Sequence, residues 1–179
     1  MAGEPSSFRA RVRGVYVLVL FGAAFGFIES AIVFDLRHVA HLTIPPTAYR
    51  VLVNLGFVTF ISPRGPIIAT GPLGRVETIR EVCTLVILGA VAWLAARRWP
   101  RRLGALLLAF ATWDLSYYLW LRLLLGWPSS LLTRDVFFLI PVPWIGPVLT
   151  PILVSVGMFV GGVRLFLLPE IAATRRDDR

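Results

Sequence analysis

Asp114, Tyr118 and Arg122 fall at i, i+4 and i+8 within FATWDLSYYLWLRLLLGWP, with Tyr117 bordering them at i+3. At helical periodicity these residues form one polar stripe on an otherwise apolar segment. Glu77 and Glu81 repeat the four-residue step in a second apolar segment, with Arg80 between them and Cys83 and Thr84 just below. Glu29 stands in the last part of a third, and Asp135 follows the Asp114 segment after a short loop. A charge at mid-bilayer costs from about 2.5 kcal/mol upward, so such groups must turn inward and find partners. Clustered carboxylates raise one another's pKa, which suits proton handling. They also suit a cation or a divalent metal. Asp35 and His38 lie one helical turn apart, with His41 a further turn on, and form a candidate metal-ligand set.

Other chemistries have less support. There is no Glu-x-x-His pair of the di-iron bundle type, no His-Glu-x-x-His zinc helix and no Gly-x-Ser-x-Gly elbow. Cys83 is the single cysteine, which excludes an intrachain disulfide and a cysteine metal cage.

The segments that carry these residues read as membrane spans. The chain is 57% hydrophobic with a mean hydropathy of +0.77, well above a soluble domain. Four apolar blocks, at about 14–34, 78–96, 103–125 and 144–168, each approach the roughly 20 residues that cross hydrocarbon. The first follows basic residues but continues past any convincing cleavage site, so it reads as an uncleaved span. Two stretches resist assignment. TAYRVLVNLGFVTFIS, within 42–76, is short for a span. VFFLIPVPWIGPVLTP carries four prolines, yet it is too apolar for a solvated loop. Non-helical backbone at membrane depth is tolerated only when buried in protein or lining a watery cavity. The expectation is therefore an all-α membrane bundle in a single domain, residues 1–179. It has four clear transmembrane helices, or five or six segments if 42–62 and 131–143 also enter the membrane, and a proline-broken piece that caps or lines a cavity. Gly22 and Gly26 with Ser30, and Gly157 with Gly161, mark faces where backbones approach closely.

The net charge is +8 and every cationic side chain of the Lys/Arg type is Arg. Arg9, Arg11 and Arg13, then Arg97, Arg98, Arg101 and Arg102, then Arg175 and Arg176 flank the apolar blocks. That is the pattern of topology anchors, not of a nucleic-acid face. It places the protein in the inner (cytoplasmic) membrane, multi-pass, with both termini cytoplasmic. Its partners are the lipid bilayer and, beyond that, other membrane subunits or a homo-oligomer. In this orientation Glu29, Glu77, Arg80, Glu81, Asp114, Tyr117, Tyr118, Arg122 and Asp135 all fall in the outer half.

The blocks ETIREVCTLVILGAVAWLA, FATWDLSYYLWLRLLLGWPSSLL and DVFFLIPVPWIGPVLTP resemble those of uncharacterised bacterial multi-span membrane proteins, over about residues 77–151. The resemblance implies location and attaches no activity. The expected function is a buried carboxylate-rich site that binds protons, a cation or a metal. The alternative is a non-catalytic structural or assembly subunit in which acids and arginines lock the bundle. In that case Asp114 pairs with Arg122 or Arg80, and Glu81 with the other.

Overall fold

A computed structural model describes residues 4–38, 49–63 and 71–168. It contains four helices, α1 (Glu4–His38), α2 (Gly71–Ala95), α3 (Trp99–Leu125) and α4 (Leu149–Leu167). Each begins with a proline among its first three residues: Pro5, Pro72, Pro100 and Pro151. Proline is tolerated there because the first-turn N–H groups have no partner within the helix. Gly126 ends α3 in the left-handed conformation (φ 64°), its N–H bonded to the Arg122 carbonyl, as a helix C-terminus favours.

The all-α expectation is corrected. The two stretches that resisted assignment contain strands: β1 (Tyr49–Asn54), β2 (Thr59–Pro63), β3 (Arg134–Phe138) and β4 (Trp144–Pro147). They form one antiparallel sheet in the order β1-β2-β4-β3. The β1–β2 turn closes through the Leu55 N–H to the Val58 carbonyl at 2.8 Å, with Gly56 at φ 84° and its N–H on the Asn54 side chain. The hairpins join where Thr59 pairs with Ile145 and Phe60 with Trp144. One hairpin lies between α1 and α2 in the chain and the other between α3 and α4, so the sheet covers the bundle end opposite the start of α1 and the end of α4. Residues 144–147, expected to open the last helix, are strand. The helix starts only at Leu149, because Pro143 and Pro147 block earlier helical hydrogen bonds.

Among the described residues three helices are long and apolar enough to cross a membrane: Phe8–His38, Gly74–Ala95 and Leu149–Leu167. A third or less of the most apolar part of each is buried within the protein. α3 is not among them, because Asp114, Ser116, Tyr117 and Tyr118 dilute its apolar character. It is instead the hub, packed on α4, α1 and α2. A stripe that lipid would punish is acceptable on the one helix that its neighbours enclose.

Small residues set those approaches. A Cβ on Gly22 would meet Thr112 at 2.7 Å, and one on Gly26 the Trp113 carbonyl at 2.7 Å. Ser30, next on that face, donates to the Tyr117 carbonyl at 3.0 Å, and Ser116 donates back to the Gly22 carbonyl at 3.2 Å. The second expected pair is overturned. Gly157 and Gly161 have nothing within 4 Å of a built Cβ. The close approach of α4 to α3 uses Gly162, one residue on, against the Leu108 N at 2.7 Å, with Gly104 against the Phe166 N at 2.6 Å. The half of the bundle nearer the termini is a solid core that includes Leu18, Leu88, Leu108, Ala109 and Phe166. The sheet-covered half is hollow.

Candidate functional site

The hollow is a cavity of about 620 Å³ bounded by all four helices and the two hairpins. Helical spacing puts Glu29, Val33 and Arg37 on its α1 wall, and Glu77, Arg80, Glu81 and Thr84 on its α2 wall. α3 contributes Trp113, Asp114, Tyr117 and Tyr118, and α4 contributes Ser155. The proline-rich segment, Val136 to Ile140 with Pro143 and Trp144, forms much of the remainder, so this segment does line a cavity.

Eight of the nine residues singled out from the sequence line this one space: Glu29, Glu77, Arg80, Glu81, Asp114, Tyr117, Tyr118 and Asp135. Arg122 does not. It is exposed and donates to the Gly126 carbonyl and, at 3.0 Å, to the Pro128 carbonyl. A cation near a helix C-terminus finds such carbonyls readily. The metal candidates are also elsewhere: Asp35 and His38 are exposed, and the His38 ring nitrogen Nδ1 lies 3.0 Å from the Phe34 carbonyl. His41 lies outside the described residues. Among the described residues no three acid, imidazole or thiol groups sit together as a metal site.

The acids divide into two sets. Glu29 and Glu77 share Arg80, which donates to both carboxylates and so ties α1 to α2. The Thr84 hydroxyl adds a long donation to Glu29, 3.5 Å. Glu81, Asp114 and Asp135 form the second set, and each receives only neutral donors. The Leu139 N–H reaches both oxygens of Glu81 at 3.1 and 3.0 Å. Ser155 donates to Asp114 at 2.7 Å, and the Tyr118 hydroxyl to Asp135 at 3.1 Å. Neither Arg80 nor Arg122 pairs with Asp114. Burial pushes the Asp135 carboxyl up to about 6, against the opposing pull of the Val136 N–H, the Tyr118 hydroxyl and Arg37. Arg37 lies 4.1 Å from the Trp127 ring centre, and among the described residues its Nε has no hydrogen-bond partner. The indole N–H groups of Trp113 and Trp144 are likewise buried without an acceptor.

Among the described residues the cavity thus holds five carboxylates against two guanidinium groups. Such a site needs protons or a positively charged guest to reach balance. Several lining residues escaped the sequence reading. Arg37 is eight residues after Glu29 and Ser155 interrupts an apolar run, so both left a trace in the spacing. Trp113 and Trp144 left none, since tryptophans near span ends are ordinary anchors. Comparison with protein-family models, with curated proteins and with solved structures finds no match to this chain, so the site is read from its own geometry.

Proposed function

We infer that the protein is an integral protein of a cytoplasmic membrane that crosses it four times, termini inside, and that its outer-half cavity binds a cation in exchange for protons. One observation carries this reading: three buried carboxylates, Glu81, Asp114 and Asp135, line one cavity, and none forms a salt bridge among the described residues. Carboxylates that only lock a bundle are held by a counter-charge, as Glu29 and Glu77 are by their shared Arg80. The fourth crossing is α3, whose polar stripe is covered by α1 and α4. The orientation rests on the arginines flanking the helices at the termini end.

The test is proton–cation competition. Tetramethylammonium chloride is added to purified, unbuffered protein near pH 6, beside the Asp114→Asn/Asp135→Asn variant. The wild type is expected to release protons saturably and the variant to release at most half as many. Equal release from both, or none from the wild type with either tetramethylammonium or tetraphenylphosphonium, rejects the reading. The alternative, a structural subunit, draws on β1. Among the described residues it is an edge strand, with Val51, Leu52 and Val53 about half exposed, and an unpaired edge is open to strand pairing. Loss of a partner on substitution there, with proton release unaltered, would favour it.

A further inference from the structure

The mouth and walls of the cavity bear on the kind of cation it takes. Two lining residues are more than half exposed: Phe57, in the β1–β2 turn, at 60%, and Val154, in the second turn of α4, at 55%. The charged residues stand further in, with 22% of the Arg80 side chain and 14% of the Glu77 side chain exposed. The rim is therefore apolar. It also opens sideways. Val154 belongs to one of the three membrane-length helices, beside the exposed Leu153 and Val156. α2 and α4 both line the cavity, yet α2 packs on α3 and has no substantial contact with α4. A guest dissolved in the bilayer reaches such a rim without first entering water.

Behind the rim the walls are aromatic. Phe110 meets Trp113 with ring centres 5.3 Å apart, and Phe138 meets Trp144 at 5.7 Å. Tyr117 packs edge-on against Tyr118 at 5.0 Å. Aromatic faces attract cations, and more strongly where water is excluded. A volume of about 620 Å³ matches pockets that enclose organic ligands. A proton needs no such space, and a bare metal ion gains nothing from aromatic walls.

We propose that the cavity takes a lipophilic organic cation, an amine or onium ion with an apolar body. It enters from the bilayer past Phe57 and Val154 and sets its charge among Glu81, Asp114 and Asp135. The inference rests on the cation-binding reading above and names its ligand class.

Three probes test it by calorimetry on the purified protein in lipid nanodiscs at pH 8, with empty nanodiscs subtracted. Tetraphenylphosphonium is a permanent lipophilic cation, triphenylphosphine oxide a neutral body with similar aryl groups, and tetramethylammonium a cation without an apolar body. Tetraphenylphosphonium is expected to bind saturably, at least tenfold tighter than either control, and at least tenfold more weakly to the Asp114→Asn/Asp135→Asn variant. Val154→Trp leaves every carboxylate in place; it is expected to slow binding at least threefold with an unchanged melting temperature. Binding of tetramethylammonium without tetraphenylphosphonium overturns the lipophilic class and leaves the cation reading standing. Equal binding of the phosphine oxide and the phosphonium, or no cation binding to folded wild type, overturns both. Should the double carboxylate variant fail to fold, the three-probe comparison on wild type and the Val154→Trp kinetics still decide.

Discussion

Removing Arg80 separates the two sets of acids most directly. Arg80→Met keeps most of the side-chain length and apolar stem but leaves Glu29 and Glu77 facing each other without their shared counter-charge. Breaking a buried ion pair by deleting one partner costs about 3–5 kcal/mol, because a desolvated charge is left behind. Arg80 and Glu77 keep 22% and 14% of their side-chain surface, so the lower end, about 3 kcal/mol, is expected. For a chain of this size each kcal/mol moves the melting temperature by about 2–4 °C, giving a fall of roughly 6–12 °C. Glu81→Gln should behave differently. The amide oxygen still accepts the Leu139 N–H, and no cation is orphaned, so a change within about 1 kcal/mol is expected. Thermal unfolding in one detergent, followed by tryptophan fluorescence, compares the two. The double variant Arg80→Met/Glu29→Gln should recover part of the loss, since the two sites are coupled. Equal destabilisation by Arg80→Met and Glu81→Gln, or strict additivity in the double variant, refutes the division of the acids into a paired and an unpaired set.

The helix seams and the sheet supply further tests. Gly26→Ala and Gly162→Ala drive a methyl into backbone atoms of α3 and should each cost about 1–3 kcal/mol. Gly157→Ala meets nothing within 4 Å and should leave the melting temperature unchanged or slightly higher, the same unfolding assay reading all three. Asp135 gives a pH signature. Its carboxyl rises from 3.8 to about 6 in the folded protein, so the protonated form is the one folding favours. That contribution is present below about pH 4 and is lost as pH rises through 6, with a ceiling of about 3 kcal/mol at 1.36 kcal/mol per pKa unit. Melting temperatures from pH 4 to 7 should show a falling component in wild type that Asp135→Asn lacks; the same slope in both would rule it out.

The helices were legible because apolar blocks bounded by arginine leave few alternatives, and α2 and α3 contain the expected 78–96 and 103–125 to within a residue. The strands were not. β4, and β3 after its opening Arg134 and Asp135, are apolar on both faces and crowded by Pro141, Pro143 and Pro147, so they show neither helical periodicity nor alternation. Their decisive contact, β2 with β4, joins segments more than eighty residues apart, which no local pattern reports. The acids were legible because an ionisable residue in an apolar block stands out. Their sorting was not. Arg122 shares a helical stripe with Asp114, and spacing alone suggests a pair. It took the end of α3 at Gly126, one turn beyond Arg122, to turn that guanidinium toward the last carbonyls.

The sheet and the acids also explain one another. Strand and loop backbone placed beside apolar helices brings N–H groups that no helix satisfies. Glu81 meets one of them, since the Leu139 N–H is directed at its carboxylate from the bend between β3 and β4. Glu81 therefore pins the lining segment, yet a glutamine oxygen would accept the same N–H. The same holds of Asp114 and Asp135. Ser155 donates to Asp114, and the Tyr118 hydroxyl and the Val136 N–H donate to Asp135; an asparagine oxygen would accept these neutral donors at a lower desolvation cost. A carboxylate kept where an amide would suffice points to use of its charge or its proton. The burden of the functional reading therefore falls on Glu81, Asp114 and Asp135 together, and Glu81 also pins the lining segment.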